Sequence, residues 1–223
     1  MNSKALLIGI NYEGTGMSLR GCINDVESIR EFLVNERGYK IENITMLTDH
    51  TDIKPTRSNI IRAIADLISS NADELWFHYS GHGVSLKDRD GDEEDGRDEG
   101  IVPLDVWQEG IIRDDFLKSL FTIRDSQKLR AIFDCCHSGT ILDISAESSG
   151  NVLCLSGCLD SQKASDTKIE SKWCGALTNS FLACYNSFIP CYTLVKNMTD
   201  YLSILGYSQI PQLEHSRQAT IYF

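Results

Sequence analysis

The sequence predicts an α/β sandwich in which helices flank a largely parallel central sheet. Short apolar runs, typical of buried strands, alternate along the chain with segments whose apolar residues recur at helical spacing. The helical segments are about ten residues or longer, the length that a connection between parallel strands requires. The 223 residues, 42% of them hydrophobic, are enough for one sizeable core.

The first half of the chain contains three predicted strands, over residues 4–10, 43–49 and 74–81. A Gly-rich turn and a helix over 22–37 follow the first strand, and Gly38 ends the helical pattern. A second helix begins near Thr56 and carries isoleucine and leucine residues along one face.

The second half continues the alternation, with further core strands over 128–136 (KLRAIFDCC) and 151–158 (NVLCLSGC). The remaining predicted elements are a short strand within 99–105, helices over 113–121, 175–185 and 194–205, and a last strand over 218–223 (QATIYF). No repeat or long linker divides the chain, so we expect a single domain over residues 1–223.

Composition excludes several classes of function. The net charge of −11 argues against nucleic acid and anionic membranes as partners. The sequence contains neither an apolar run of about 18 residues, as a membrane span needs, nor a signal-peptide cleavage site. Eight cysteines without a C-x-x-C motif indicate reduced thiols in a cytoplasmic location, and they argue against a zinc framework.

The acidic charge is concentrated in residues 88–99 (DRDGDEEDGRDE), which hold eight acids and two arginines. The segment does not match the spacing of an EF-hand loop. Taken alone it is compatible with two interpretations, a solvated surface loop and a site for a metal cation.

Two predicted strands end in residues whose side chains could take part in catalysis. The third runs into YSGHG (79–83) and the fourth into DCCHSG (134–139). Chemistry in parallel sheets gathers beyond the C-terminal ends of the strands, so neighbouring strands would bring His82 close to one of the cysteines. Because side chains alternate along a strand, Cys135 and Cys136 should point in opposite directions, one buried and one presented, which disfavours a vicinal redox pair.

A thiol beside a histidine has the chemistry of a nucleophile, because the histidine lowers the thiol pKa from about 8.5 toward neutrality. The glycines around His82 leave room for the ring to turn and for backbone amides to bind an oxyanion. A cysteine in an apolar strand is more often a buried core residue, and a histidine before glycine is more often a loop residue. The occurrence of both at strand ends favours acyl transfer.

Seven motifs together resemble the caspase-like peptidases of clan CD, family C14, and most closely the metacaspases. They are YSGHG, DCCHSG, GCINDV (21–26), GRDEGIVPLD (96–105), IIRDDF (111–116), SGCLDSQKASD (156–166) and GALTNSF (175–181). The resemblance implies a caspase-like sheet of six or more strands, with a large-subunit-like part over about 1–145 and a small-subunit-like part over about 151–223. It also implies a cysteine endopeptidase with Cys136 as nucleophile and His82 as its partner. The amides of Gly83 and Cys136 would form the oxyanion site.

The resemblance further implies a substrate pocket formed by Asp25, Ser80 and Asp134. Caspases carry glutamine where this chain has Asp134, so an acidic pocket should accept arginine or lysine before the cleaved bond and should reject aspartate. Two alternatives remain open, in which Asp25 only stabilises the start of its helix and Asp134 only accepts hydrogen bonds at the strand end.

By the same resemblance, Ca²⁺ would be bound by Asp98, Asp114, Asp115 and Asp143. Asp114 and Asp115 also begin a predicted helix, so a capping role is the alternative for both.

The expected regulation is that of a monomeric single chain without a pro-domain, gated by calcium. The residues at which the protein would cleave itself are Lys163, Lys168 and Lys172, because residues 140–162 contain no lysine or arginine. The alternative function is a catalytically idle caspase-like module that acts as a binding or regulatory subunit. A cysteine-dependent redox protein is disfavoured, since no resolving cysteine is suitably spaced.

Overall fold

In the part of the chain that the structure describes, eleven strands form one large and two small sheets. The computed structural model describes residues 2–87, 97–136, 141–142, 144, 148–158, 167–169, 172–220 and 222–223. The strands are β1 (Ser3–Gly9), β2 (Ile44–Thr48), β3 (Glu74–Ser80), β4 (Gly83–Lys87), β5 (Arg97–Ile101), β6 (Ile112–Arg113), β7 (Lys128–Asp134), β8 (Asn151–Cys158), β9 (Thr167–Ile169), β10 (Lys172–Cys174) and β11 (Ile210–His215).

The large sheet has six strands in the order β11-β8-β7-β3-β1-β2. All neighbouring pairs are parallel except β11 with β8, which is antiparallel. This confirms the predicted α/β class and the mostly parallel six-stranded sheet. The central strand β3 is buried along its whole length, as expected for a strand that is covered on both faces.

The described residues also form six α-helices, most of which pack on the faces of the sheet. They are α1 (Cys22–Asn35), α2 (Arg57–Ile68), α3 (Val106–Glu109), α4 (Asp114–Leu120), α5 (Ala176–Cys184) and α6 (Cys191–Ile204). The apolar faces of α1, α5 and α6 enter one core cluster, and those of α2 and α4 enter a second. The predicted start of α2 is confirmed by an N-cap, since the Thr56 hydroxyl accepts a hydrogen bond from the backbone amide of Asn59.

The strand predicted over 218–223 is wrong. The last strand of the described chain is β11, and in the C-terminal segment Tyr222 forms an isolated bridge with Pro190. Pro211 made residues 210–215 an improbable strand in the sequence, because proline cannot donate to a ladder. The strand tolerates Pro211 because β11 lies at the edge of the sheet.

Two further differences concern short elements. Beyond the single short strand expected within 99–105, β4, β5 and β6 form a small antiparallel sheet. The last helix begins at Cys191 and not at residue 194, so its first turn follows Pro190 directly.

In the part of the chain that the structure describes, no helix combines the length and apolar character of a membrane span.

Candidate active site

The strand order reverses at β1, because β2 lies on one side of it and β3 on the other. Parallel sheets place their sites at such a reversal, beyond the carboxyl ends of the strands. The predicted neighbour relation is confirmed, since β3 and β7 pair in register with Ser80 opposite Asp134. The Gly81 amide donates to the Asp134 carbonyl at 3.4 Å, so the segments that carry His82 and Cys136 leave the sheet side by side.

The two adjacent cysteines lie in different surroundings. Cys135 is 1% exposed and belongs to the core cluster that includes Tyr12 and Tyr79, whereas Cys136 is partly exposed. The predicted division into one buried and one presented thiol is therefore observed. Strand β7 ends at Asp134, and the alternation of side chains continues to Cys135, which enters the core while Asp134 bonds α5 on the opposite face of the sheet.

Glycine at position 83 permits the close approach of the two strand ends. A Cβ atom at Gly83 would overlap the carbonyl oxygen of Cys136 and would lie 3.2 Å from the Cβ of Cys135. A side chain at this position would therefore push the histidine-bearing segment away from the cysteines.

The ring of His82 is held in one orientation and one tautomer. Its Nε2 lies 2.7 Å from the carbonyl oxygen of Met17, which can only accept a hydrogen bond. Nε2 must therefore carry the proton, and in the neutral ring Nδ1 keeps the lone pair that a general base requires. The Tyr12 ring packs against the imidazole with its centroid at 4.8 Å.

Two buried tyrosines fix the backbone on either side of this ring. The His82 amide donates to the Tyr12 hydroxyl at 3.1 Å, and the Tyr79 hydroxyl donates to the His82 carbonyl at 2.8 Å. The Tyr12 hydroxyl in turn donates to the Val102 carbonyl. Burial raises the pKa of both tyrosines well above the usual range, so both hydroxyls stay protonated.

The sequence analysis did not identify these supporting residues. Met17 acts through its main-chain carbonyl, and no side-chain pattern signals such a role. Tyr12 adopts a left-handed conformation with φ of 51° in the loop after β1. The Asp49 carboxylate holds that loop, accepting from the amides of Asn11 at 2.7 Å and Glu13 at 3.0 Å. The Gly-rich turn after β1 was the only sequence signal for the loop.

The three predicted pocket residues converge at the start of α5. Asp25 is 1% exposed, and its carboxylate accepts from the Ser80 hydroxyl at 2.7 Å and from the Gly175 amide at 2.9 Å. Asp134 is 5% exposed and accepts from the Thr178 amide at 2.8 Å. Both carboxylates therefore lie at the positive end of the α5 dipole.

Each alternative accounts for part of what is observed. Asp25 lies in the first turn of α1, where the helix dipole stabilises an acid, but its carboxylate also bonds Ser80 and Gly175 outside that helix, so stabilising the helix start is not its sole role. Asp134 does accept hydrogen bonds at the strand end, so a structural role is present whatever else the residue does. Burial raises the pKa of Asp134, and donors on Leu177 and Thr178 act in the opposite direction.

Glycine at position 175 allows the two acids to share this space. A Cβ atom there would overlap Oδ2 of Asp134 and would lie 2.8 Å from Oδ2 of Asp25. Gly175→Ala is therefore expected to lower the free energy of unfolding by about 1–3 kcal/mol, as for overpacking in a core. Urea denaturation measures this change.

Gly16→Ala is the matched control for that measurement, because a Cβ atom at Gly16 meets no atom within 4 Å. We expect its unfolding free energy to stay within about 0.5 kcal/mol of the wild type. Equal stability of the two variants would contradict the close contact between the acids and Gly175.

Comparison with known proteins assigns the chain to a family. The family model described as "Metacaspase, peptidase C14 domain" matches residues 3–145. The chain belongs to the metacaspases. This confirms the resemblance that the motifs carry, and it places His82, Cys136, Asp25 and Asp134 inside the matched region.

Fungal proteins are among the similar relatives. A Metacaspase-1 of Kluyveromyces lactis is 47% identical over 148 residues, which cover 63% of this chain and 34% of that protein. A Metacaspase-1B of Neurospora crassa is 49% identical over 148 residues, covering 63% and 35%. A Metacaspase-1 of Scheffersomyces stipitis is 34% identical across 99% of this chain and 72% of that protein. The metacaspase chain thus matches about a third of the length of several of these relatives.

The fold has a counterpart among solved structures. A crystal structure of a protein from Geobacter sulfurreducens superposes with a TM-score of 0.73, covering 97% of this chain and 94% of that one. At 23% sequence identity, the likeness concerns the fold alone.

Two of the four acids predicted to bind calcium have side chains that the structure describes. Asp114 is buried at the start of α4, and its carboxylate accepts from the amides of Glu99 and Asp115. Burial raises the pKa of Asp114. Asp115 is exposed. The cap position of α4 is Arg113, without a side-chain capping bond, so neither acid caps the helix, although both lie in its first turn.

The other two acids are less fully defined. The backbone of Asp98 lies in β5 next to Glu99, whose amide binds Asp114, while its side chain is outside what the structure describes. Asp143 also lies outside the described residues. The described residues contain no group of three or more histidine, cysteine or acidic side chains suited to a metal. The described carboxylate oxygens nevertheless fit Ca²⁺ in their donor chemistry.

Two of the three predicted self-cleavage lysines lie in a pair of short strands. Strands β9 and β10 are antiparallel, and they contain the backbones of Lys168 and Lys172 respectively. Lys163 lies outside the described residues.

Proposed function

We propose that this metacaspase domain is a calcium-dependent cysteine endopeptidase that cleaves peptide bonds after arginine or lysine. The observation that carries the proposal is the meeting of three features at one sheet edge. These features are a partly exposed Cys136, a histidine whose Nδ1 is free to act as a base, and two buried carboxylates at the start of α5.

The reaction is an acyl transfer in two stages. The Cys136 sulfur forms a bond to the carbonyl carbon of the substrate while its proton passes to Nδ1 of His82. The C–N bond then breaks as His82 returns that proton to the leaving amine, which leaves a thioester. Water adds to the thioester and gives a proton to Nδ1, and the C–S bond breaks with return of the proton to sulfur.

The oxyanion of each stage needs hydrogen-bond donors that are already in place. In the Gly81–Gly83 turn, the Gly81 amide donates to the Asp134 carbonyl and the His82 amide donates to Tyr12. The Gly83 amide is then the donor of this turn that we assign to the oxyanion, together with the Cys136 amide.

The preference for a basic residue rests on charge. Asp25 and Asp134 are both buried, and a guanidinium or ammonium group placed between them would form charge-assisted hydrogen bonds with both carboxylates. An aspartate side chain in the same place would meet two like charges and would be rejected. Ser80 keeps Asp25 oriented toward the pocket through its 2.7 Å hydrogen bond.

Calcium would be held by Asp98, Asp114, Asp115 and Asp143. The bound cation would supply positive charge to these carboxylates, and Asp143 lies seven residues after Cys136 in the sequence. What supports a role for Asp114 is that amide donors hold both of its carboxylate oxygens. A rigid first ligand lowers the cost of organising the others.

Calcium is expected to raise the thermal midpoint of the wild type, because a ligand that binds only the folded state stabilises it. Asp114→Asn should weaken Ca²⁺ binding about tenfold or more, measured by calorimetry, and should remove most of the thermal shift. The exposed Asp125→Asn serves as the control and should bind calcium like the wild type. Equal calcium affinity of the Asp114 variant and the wild type would contradict the assignment.

Self-cleavage is expected at Lys163, Lys168 or Lys172 when calcium is added. The 140–162 segment offers no basic residue, so a Ca²⁺ incubation followed by gel electrophoresis and mass spectrometry should show cuts only after those lysines. A clean cut within 140–162 would contradict both the basic preference and the assigned sites. We further propose that the enzyme acts as a monomer in the cytoplasm.

The test of the proposed function uses fluorogenic peptides that differ only in the residue before the cleaved bond. Wild type and Cys136→Ala are compared on arginine, lysine and aspartate peptides, with calcium and with a chelator. We expect calcium-stimulated cleavage after arginine and lysine that disappears in the variant. Absence of such cleavage would favour the alternative, a catalytically idle module that binds other proteins.

A further inference from the structure

A buried histidine outside the proposed machinery contacts the residue that holds Asp134. His78 lies in the middle of β3 and is 0% exposed. Its Nε2 lies 2.9 Å from the hydroxyl of Thr178. Thr178 is the residue whose amide donates to the Asp134 carboxylate at 2.8 Å. One threonine thus connects the imidazole to the proposed pocket.

The link from His78 to the acid passes through the first turn of α5. The Thr178 hydroxyl bonds His78, and the backbone amide of the same residue donates to the Asp134 carboxylate. Because Thr178 lies in the first turn of α5, its bond to the rigid strand β3 holds in place the amide that Asp134 accepts from.

The second nitrogen of His78 indicates that the ring proton lies on Nε2, which then donates to the Thr178 hydroxyl. Nδ1 is buried and has no hydrogen-bond partner among the described residues. With the proton on Nε2, Nδ1 is a bare acceptor in an apolar environment. Burial lowers the pKa of His78 to about 3, which keeps the ring neutral. A buried imidazole with one unsatisfied nitrogen costs stability, which an apolar residue at this position would avoid.

His78 and Ser80 occupy the same face of β3, because side chains two residues apart point the same way. Ser80 donates to Asp25 directly, and His78 reaches Asp134 through Thr178. Alternate residues of one strand therefore support the two acids of the pocket.

We propose that His78 is a positioning residue for substrate specificity, which orients the Asp134 carboxylate by anchoring Thr178, the residue whose amide donates to that carboxylate. The inference rests on the proposed function, in that Asp134 is taken to bind the basic side chain of the substrate. It assigns no contact between His78 and the substrate.

The test removes each partner of the hydrogen bond between His78 and Thr178 and then restores a polar group at that position. Thr178→Val is nearly isosteric and lacks the hydroxyl, and His78→Leu lacks the ring donor. For an arginine peptide we expect each variant to raise KM about tenfold while kcat changes less than about twofold, as for lost binding of a side chain. Thr178→Ser and His78→Gln each keep a donor and should return KM to within about threefold of the wild type.

Three further measurements separate positioning from general damage. The double variant should have a KM no higher than that of the more impaired single variant, because both changes break the same link between His78 and Asp134. Alkylation of Cys136 by iodoacetamide, which does not use the pocket, should keep its wild-type rate. Thr199→Val, which removes a hydroxyl bonded to the Val195 carbonyl of its own helix, should behave like the wild type throughout.

Unchanged KM in both single variants would overturn the inference, as would additive effects in the double variant or a parallel loss of Cys136 alkylation. A comparison of the arginine peptide with a peptide of its uncharged analogue citrulline distinguishes failure of the proposed function from failure of the role of His78. A wild type that shows no preference for arginine overturns the proposed function and this inference together. A wild type that prefers arginine, with variants that match it, overturns this inference alone.

Discussion

Cys136→Ala is expected to lower kcat/KM for an arginine peptide by at least about 10³-fold, because removal of a nucleophile leaves only binding and oxyanion stabilisation. The free energy of unfolding should stay within about 0.5 kcal/mol of the wild type, since Cys136 is partly exposed. Peptide hydrolysis and urea denaturation of the same preparations measure the two quantities.

Cys135→Ala is the matched control, and it should show the opposite pattern. Cys135 is 1% exposed within the core, so its replacement should cost about 1 kcal/mol of stability. Activity should remain within a few-fold of the wild type, because the sulfur of Cys135 is directed into the core and away from the pocket. A catalytic loss in Cys135→Ala as large as that in Cys136→Ala would contradict the division of roles.

The second large effect is expected from neutralising the pocket. Asp25→Asn and Asp134→Asn keep the shape of the side chain and remove its charge. Each should lower kcat/KM for the arginine peptide by about 30-fold or more, because loss of one partner of a buried charge pair costs about 2–5 kcal/mol. Cleavage of the citrulline peptide, which carries no charge, should change far less.

The exposed Asp66→Asn controls for the change in net charge and should cleave both peptides like the wild type. The ratio of the two kcat/KM values is the decisive quantity, since general damage to the fold would lower both. An unchanged ratio in Asp25→Asn and Asp134→Asn would contradict the assignment of the pocket.

The parts of the fold that carry strong local patterns were predictable from the sequence. Strands β1, β3, β7 and β8 are rich in apolar residues without a polar residue at every second position, because both faces of a parallel sheet are buried. Their order in the sheet then brings YSGHG beside DCCHSG, and the position of Asp25 one turn into α1 follows from the same alternation of elements.

The features that were predicted wrongly, or not at all, lie in segments without such patterns. Strand β11 contains Pro211 and lies at the edge of the sheet, where the side of the strand that has no neighbour needs no N–H donor. The orientation of His82 depends on the carbonyl of Met17, and every residue has a carbonyl, so no residue type marks the position. The bond between His78 and Thr178 joins residues 100 positions apart, and only the packing of α5 on the sheet reveals it.

The most direct measurement of the central claim is mass spectrometry after labelling with a peptidyl-arginine chloromethyl ketone. This reagent alkylates a nucleophilic thiol only when its arginine side chain occupies the neighbouring pocket. The account predicts a single adduct on Cys136, formed in the presence of calcium and absent with the corresponding aspartyl reagent. An adduct on Cys135, or equal labelling by the aspartyl reagent, would contradict it.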